Sequence, residues 1–191
     1  MGHTIKLQTP RLTLNSFTIK DTEKVPLLPN NLRVAEMTAG LPYPYTIQHA
    51  RDWIAAHDAL LENDGDHIFA IRLTCSSELI GCINLGLNAA HDRGYLGFWL
   101  GQAFWDQGYG TEAVQEIVRF GFSVKGLNKI WAEYKSINPA SGRILEKAGL
   151  REEGILRNHY RQSENSYLDL HVMAMLRDEY KEAAGKPLPC G

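Results

Sequence analysis

The stretch of this 191-residue chain best suited to chemistry lies at residues 105–113, where the sequence reads WDQGYGTEA. Two glycines, Gly108 and Gly110, follow an apolar segment typical of a β-strand and lead directly into a helical pattern. Glycines let a backbone approach an anion closely, and the free N–H groups of a helix N-terminus supply donors at a positive dipole end. The junction therefore predicts a phosphate-binding loop, although a helix entrance without a ligand can have the same pattern.

The same residues also fit the pattern G-x-G-x-x-A of dinucleotide-binding enzymes, with Glu133 in the position of a ribose-binding acid. That pattern requires its first glycine at the immediate end of a strand, and here seven residues separate Leu100 from Gly108. The preceding strands also fit an antiparallel meander rather than repeated βαβ units. A nucleotide-binding oxidoreductase is therefore the less favoured alternative.

The elements that must position this loop follow from hydrophobic periodicity and cap residues. Alternation predicts strands at 11–17, 68–74, 79–87, 95–100, 129–136, 150–160 and 167–176. Three- and four-residue spacing predicts helices at 18–28, 46–63, 108–122, 139–148 and 177–184. The order β, α, α, β, β, β, α, β, α, β, β predicts an α+β (α/β layered) fold, with one mixed, mostly antiparallel sheet and helices on both faces.

Composition limits the class of protein. Hydrophobic residues at 44% and charged residues at 22% are ordinary for a folded protein, and the length predicts a single domain over 1–191. A net charge of -2 shows no basic excess for nucleic acid, and no apolar run is long enough to span a membrane. The spacing of the cysteines and histidines predicts neither a disulfide framework nor a metal site. Because the N-terminus lacks a secretory signal, we expect a cytoplasmic protein.

Motifs spread over nearly the whole chain resemble those of the GNAT superfamily of acyl-CoA-dependent N-acetyltransferases. They are TPRLTL at 9–14, LPYP at 41–44, GFWL at 97–100, FWDQGYGTEA at 104–113, NPAS at 138–141, EKAGL at 146–150, EG at 153–154, and Asp169. The element order is that of the family, whose loop reads Q/R-x-x-G-x-G/A; here Trp105 stands where the general motif has Gln or Arg. The pieces look most like the branch that contains the ribosomal-protein N-terminal (alanine/serine) acetyltransferases, in which Trp is usual at the Trp105 position.

The resemblance implies acetyl-CoA as co-substrate and an opening between the strands at 95–100 and 129–136 that receives its pantetheine arm. The pyrophosphate is expected on the glycine loop, in agreement with the helix N-terminus argument. A backbone N–H on a bulge near Leu100 is expected to polarise the thioester carbonyl. The residues expected to bind the cofactor are Phe98, Trp99, Leu100, Gln107, Gly108, Tyr109, Gly110, Thr111, Asn138 and Ser141.

The catalytic residues depart from the general pattern of the superfamily. Many members carry a general-acid Tyr where this chain has Leu145, and the branch resemblance implies that Ser141 hydrogen-bonds the departing sulfur instead. Related members often have Glu where this chain has Tyr95. The remaining candidates for a base are Glu133 and Tyr134, and because side chains alternate along a strand, we expect only one of them to face the site.

The acceptor implied by the resemblance is a primary amine that attacks acetyl-CoA directly in a ternary complex. An α-amine with a reference pKa of about 7.7 to 8 is partly neutral at cell pH, whereas a lysine near 10.4 is not. The branch resemblance implies a protein N-terminal α-amine, with a small-molecule amine (antibiotic, polyamine or amino acid) or a non-catalytic acyl-CoA-binding module as alternatives. We expect a monomer or homodimer, without nucleic-acid or membrane partners. The residues expected to line the acceptor site, unless they serve only in packing, are Tyr43, Tyr45, Tyr160 and Tyr167.

Overall fold

The structure is a computed structural model, and it describes residues 5–38 and 40–184. The strands are β1 (Leu7–Gln8), β2 (Leu12–Asn15), β3 (Asp66–Leu73), β4 (Leu79–Asn88), β5 (Arg93–Leu100), β6 (Lys129–Lys135), β7 (Arg151–Ser163) and β8 (Ser166–Leu176). The helices are α1 (Leu32–Met37), α2 (Ile47–Asp64), α3 (Tyr109–Arg119), α4 (Pro139–Lys147) and α5 (Arg177–Ala184).

All eight strands form one sheet in the order β1-β2-β3-β4-β5-β6-β8-β7. Every neighbouring pair is antiparallel except β5 and β6, which are parallel and are joined by the crossover through α3. The mixed, mostly antiparallel sheet expected from the sequence is confirmed.

The sheet opens between its two parallel strands. Strand β5 pairs with β6 only where Arg93, Gly94 and Tyr95 face residues 129–131, although both strands continue well beyond this point. On its other side β5 keeps a regular register with β4, from Arg93 opposite Asn88 to Leu100 opposite Gly81. The bulge expected near Leu100 is therefore wrong, because the free backbone groups of β5 come from the divergence of β6.

Helices cover both faces of the sheet. The larger core cluster packs α3 and α4 against one face through fully buried side chains such as Ile117, Ile130 and Leu145. On the other face α2 closes a smaller cluster that includes Phe17, Tyr45 and Cys82. Each such side chain contributes about 1.5 to 3 kcal/mol by leaving water, so the two helical layers hold the sheet rigid on either side of the opening.

The segment before α2 differs from the expectation. The helix expected at 18–28 is wrong, because that stretch forms two isolated 3₁₀ turns, Ile19–Asp21 and Val25–Leu27. The buried carboxylate of Asp21 accepts from the backbone N–H of Thr18 and pairs with Arg72, which ties the first turn to β3 instead of extending it. The regular helix here is α1, which was not expected from the sequence.

The remaining helix boundaries follow the caps. Thr46 caps α2 by accepting from the His49 N–H, and α2 ends at Gly65 in the left-handed conformation. Asn138 caps α4, with Pro139 at the first helical position. The hairpin of β7 and β8 is longer than expected, and its tip extends beyond the residues of β8 that pair with β6.

Candidate active site

The glycine loop places free backbone donors at the start of α3. Gly108 is the N-cap residue with a φ of 80°, a conformation that favours glycine. Among the described residues, no protein acceptor takes a hydrogen bond from the N–H groups of Gly108, Tyr109, Gly110 or Thr111. These donors lie at the positive end of the helix dipole, so the loop can hold a phosphate without a cationic side chain.

The acidic residue in the first turn of α3 is neutralised by the N-terminal strand region. Glu112 accepts from the Thr9 hydroxyl at 2.6 Å and from the Arg11 guanidinium at 2.6 Å. Burial, which alone would raise the pKa of Glu112, is outweighed by these hydrogen bonds, and the pKa is lowered. Arg11 also donates to the Gln107 carbonyl oxygen and lies over the Tyr109 ring. The Glu112 carboxylate is therefore paired and does not oppose an anion at the helix start.

The exposed edge of β5 presents alternate residues to the opening. The N–H of Gly101 donates to the carbonyl of Ile80 on β4, which fixes the phase of the antiparallel ladder. Because N–H and C=O of one residue point the same way and alternate along a strand, those of Phe98 and Leu100 face the opening. Those of Trp99 face β4. The Trp105 indole donates to the Leu100 carbonyl at 2.9 Å and so anchors the loop to the end of β5.

A cavity of about 360 Å³ lies along this edge, between β5, α1 and the start of α4. Two arginines, Arg33 and Arg143, are part of its wall. Space for the cavity exists because β5 and β6 diverge there. Trp105 and Asp106, which precede the two glycines of the loop, form part of its wall. An extended chain ending in phosphates fits this arrangement of strand edge, opening and helix start. We refer to this cavity of about 360 Å³ as the cofactor cavity.

The first turn of α4 carries an oriented pair of polar side chains. Asn138 Oδ1 accepts from the Ser141 backbone N–H as the helix cap, and this role determines which end of the amide is oxygen. The amide nitrogen therefore donates to Ser141 Oγ at 2.9 Å and, more weakly, to the Met37 carbonyl at 3.3 Å. Since Ser141 Oγ accepts from Asn138, its own proton is available for another acceptor.

A second cavity of about 610 Å³ meets the first one on the other side of the opening, and we refer to it as the acceptor cavity. Six residues line both cavities: Met37, Thr38, Phe98, Trp99, Asn138 and Ser141. The predicted cofactor contacts on β5 and α4 are thus brought together at the junction of the two cavities. The acceptor cavity is lined further by Trp53, Leu60, Asp66, Ile68, Cys82, Asn84, Tyr95, Leu96, Gly97, Glu133, Tyr134, Lys135, His159, Tyr160 and Leu170.

Both candidate bases, Glu133 and Tyr134, line the acceptor cavity. Both residues contribute to the cavity wall, although their side chains alternate along β6 and leave on opposite sides of the strand. Glu133 projects on the side of Lys135, whereas the Tyr134 ring stacks on His171 and lies against Gly142 of α4. Burial raises the pKa of the Tyr134 hydroxyl, and Glu152 adds to the effect.

Of the four tyrosines predicted at the acceptor site, the structure brings only Tyr160 into the cavity wall, over Lys135. Tyr45 is a correction: it is 6% exposed and packs in the smaller core cluster, where burial raises its pKa to about 12. Tyr43 and Tyr167 are 53% and 51% exposed and lie outside the residues that line this cavity. Residue type alone predicted the acceptor-site role of these tyrosines poorly, because tyrosine occurs in cavity walls and on exposed surfaces alike.

Three cavity residues were missed by the sequence reasoning. Asp66 and Asn84 form a pair, with the Asn84 amide donating to the Asp66 carboxylate at 3.1 Å. Lys135 is buried, and its ammonium donates to two backbone carbonyls near the end of α1. Asp66 follows the helix-ending Gly65 and looked like part of a turn. Lys135 had one signal in the sequence, a charge within an otherwise half-buried strand.

The described residues contain no group of three or more metal-ligating side chains. In the same part of the chain no helix is both long and apolar enough to cross a membrane.

Residues 11–151 match the family model of the acetyltransferase (GNAT) domain. Over 172 residues the chain is 31% identical to the uncharacterized N-acetyltransferase YoaA of Bacillus subtilis, covering 90% of this chain and 96% of that protein. The family model spans well over half of the chain, and the chain belongs to the GNAT family. It is an N-acetyltransferase, and acetyl-CoA is its acetyl donor, as expected from the sequence.

Solved structures share the fold. The ribosomal L7/L12 α-N-protein acetyltransferase RimL in complex with coenzyme A superposes with a TM-score of 0.80 at 16% identity, over 92% of this chain and 99% of that one. The spermidine N-acetyltransferase of Vibrio cholerae, in complex with CoA and spermine, superposes with a TM-score of 0.76 at 20% identity, over 91% and 99%. At these identities the likeness concerns the fold alone.

The family and the fold also decide between the alternatives. The nucleotide-binding oxidoreductase is wrong, because β3, β4 and β5 are antiparallel and the single parallel pair diverges instead of forming a βαβ nucleotide site. The non-catalytic module is set aside because the family is one of acetyltransferases.

Proposed function

We propose that this enzyme acetylates the α-amine at the N-terminus of a protein, by direct attack on acetyl-CoA in a ternary complex. The observation that carries the proposal is the mixed charge of the acceptor cavity. In the described part of the chain its wall holds two carboxylates, Asp66 and Glu133, together with the ammonium of Lys135. This leaves one carboxylate in excess, which suits a single amine on a peptide better than a polycation, since a polycation needs several. RimL, one of the structures of the same fold, is named as a protein α-amine acetyltransferase.

The ease with which an α-amine is deprotonated is a second reason to propose it as the acceptor. Because an α-amine is partly neutral near pH 7.7 to 8, a weak base is enough to complete its deprotonation. We assign this role to Glu133, acting directly or through a water. Burial raises the pKa of the Tyr95 hydroxyl, and the negative charge of the Glu133 carboxylate raises it further. Tyr95 then stays protonated and can donate a hydrogen bond to the acceptor.

Ser141 is the proposed hydrogen-bond donor to the sulfur of CoA. When the amine has added and the C–S bond breaks, negative charge develops on the sulfur, and the proton that the amine loses through Glu133 balances the thiolate. The Ser141 hydroxyl accepts from Asn138, so its own proton is free to stabilise the sulfur by a hydrogen bond. Asn138 is thus a positioning residue, and its cap bond to the Ser141 N–H keeps the pair in register.

The remaining cofactor contacts are proposed from the free backbone groups. The N–H of Phe98 or Leu100 faces the opening and polarises the thioester carbonyl. The first-turn N–H groups of α3, with the loop at Gln107 and Gly108, hold the pyrophosphate. The proposal places the enzyme in the cytoplasm, where acetyl-CoA and nascent protein N-termini are both present.

A small-molecule amine is the second candidate. The acceptor cavity of about 610 Å³ is within the range of roughly 300 to 1,000 Å³ that encloses small ligands. The spermidine N-acetyltransferase of the same fold is named for such a substrate. A cavity of this size also accommodates the first two or three residues of a peptide, so volume does not separate the two candidates.

The test is an acceptor panel with CoA thiol release as the readout and mass spectrometry to locate the acetyl group. The panel pairs short peptides that begin with Ala, Ser or Met with the same peptides blocked at the N-terminus and carrying one internal lysine. Spermidine, an aminoglycoside and free amino acids form the second arm. Turnover of unblocked peptides at their α-amine supports the proposal. Turnover of small amines with the peptides untouched would overturn it in favour of the second candidate.

A further inference from the structure

The turn that follows α1 is fixed in position by side chains from the end of β6 and the start of α4. The Lys135 ammonium donates to the carbonyl oxygens of Glu36 at 2.8 Å and Thr38 at 2.9 Å. The Asn138 amide donates to the carbonyl between them, that of Met37. Three consecutive carbonyls of one segment are therefore bound from the far side of the sheet opening. We refer to residues 36–38 as the strap.

The strap lies where the two cavities meet. Met37 and Thr38 line the cofactor cavity and the acceptor cavity alike. So does Ser141, the proposed donor to the sulfur. The strap is therefore part of the wall around the position at which the amine must reach the thioester, and its displacement would open that position to solvent.

Burying the Lys135 ammonium at this position costs free energy. It is 5% exposed, and among the described residues none of the ion pairs includes it. Desolvating an ammonium costs several kcal/mol unless other groups compensate. Here the compensation comes from the two strap carbonyls and from the Tyr160 ring, whose centroid is 4.0 Å from the ammonium. An apolar side chain would fill the same space without that cost but could not bind the strap.

We propose that Lys135 is a positioning residue that keeps the strap closed over the thioester, so that an amine and not water reaches the acetyl group. In the reaction that it suppresses, water adds to the thioester carbonyl and the C–S bond breaks. The products are acetate and the CoA thiol; of the two protons of the water, one goes to the thiolate and the other is released to solvent. Closed active sites prevent such side reactions by excluding water. This role rests on the acetyl-CoA dependence of the family and not on which amine is the acceptor.

The experiment compares Lys135→Met with Lys129→Met, each made in the full chain. Lys129 lies on the same strand but is partly exposed and pairs with Glu153, so its variant controls for the loss of one lysine from β6. CoA thiol release from acetyl-CoA is measured without any amine, and kcat and KM are then measured with the best acceptor of the panel. Melting temperatures and hydrogen exchange of the amides at 33–38 are recorded for each variant.

For Lys135→Met we expect thiol release without amine to rise about tenfold, because two hydrogen bonds from a charged donor are lost. The kcat of transfer should fall, the KM for acetyl-CoA should stay within about twofold, and exchange at 33–38 should speed up. Lys135→Arg, which keeps a charged donor, should restore most of the coupling, and Lys129→Met should behave like the unmodified enzyme. Unchanged release without amine in folded Lys135→Met overturns the proposal. If that variant does not fold, unchanged release in Lys135→Gln, which lacks the charge and is one atom shorter, overturns it equally.

Discussion

The cofactor cavity and the acceptor cavity differ in how far they depend on backbone groups and how far on side chains. The cofactor cavity depends on backbone: the free edge of β5, the N–H groups at the start of α3 and the capped first turn of α4. The acceptor cavity depends on side chains from α2, β3, β4, β6 and the hairpin of β7 and β8. A backbone site follows from local sequence, since glycines and caps specify it. A side-chain site exists only after distant strands have been brought together.

The largest expected effect tests Ser141, one of the six residues that line both cavities. Ser141→Ala removes the proposed donor to the sulfur, and kcat should fall about 100-fold, the lower end of what the loss of one donor to a developing charge costs. The KM for acetyl-CoA should change by less than about threefold. Ser141→Thr keeps a hydroxyl and is the matched control in steady-state kinetics. A kcat for Ser141→Ala within threefold of the unmodified enzyme would remove Ser141 from the mechanism.

The backbone character of the cofactor cavity is tested at Gly108. Gly108→Asn and Gly108→Asp impose the same strain at a φ of 80°, a conformation that Asn and Asp tolerate better than most residues. Only Asp adds a negative charge. The Nε and Nη1 of Arg11 are engaged by Glu112 and the Gln107 carbonyl, and its Nη2 lies 3.2 Å from the position of the new Cβ. We expect the Kd for acetyl-CoA to be about 30-fold weaker for Asp than for Asn at low salt. Equal affinities in calorimetry would contradict the phosphate loop.

The core beneath the cofactor side carries a pH dependence of stability. His67 of β3 is buried against Phe69 and Phe120, and burial, with Lys125 adding to it, lowers its pKa to about 4. Between pH 6.5 and 4 the unfolded chain binds the proton more tightly than the folded one, so stability falls as the pH falls. From pH 7 to 5 the part of the loss due to His67 should be about 2 kcal/mol in urea unfolding, beside that of His57, whose pKa burial also lowers to about 4. His67→Phe should remove that part of the slope, and the exposed His91→Phe should leave it intact.

The smallest expected effect separates the aromatic residues of the acceptor side. Tyr160→Ala removes a ring from the cavity wall and should raise the acceptor KM about fivefold, in line with the worth of one aromatic contact. Tyr167→Ala, on the exposed part of the same hairpin, should leave KM unchanged. Equal effects of the two substitutions would mean that the acceptor extends along the hairpin beyond the cavity.

The same division explains how far sequence reasoning reached. The start of α3 at Gly108, the cap at Asn138 and the mixed sheet with helices on both faces were predicted correctly, because caps and hydrophobic periodicity act over short stretches of chain. The acceptor tyrosines were predicted poorly, since residue type alone does not tell whether a ring such as Tyr45 faces a cavity or a core. The expected helix at 18–28 failed for a related reason: the buried ion pair between Asp21 and Arg72 is made across 51 positions of the chain.

By itself the amino-acid sequence determined the family, the element order from α2 onward and the glycine-led start of α3, because glycine spacing, caps and hydrophobic periodicity act over short stretches of chain. The tertiary structure alone decided what surrounds the amine. The opening of the sheet, the pairing of Asp66 with Asn84 and the attachment of the strap to Lys135 all join residues far apart in the chain. Such contacts form only when the closed loops between them are ordered by the core, and no local pattern specifies that geometry.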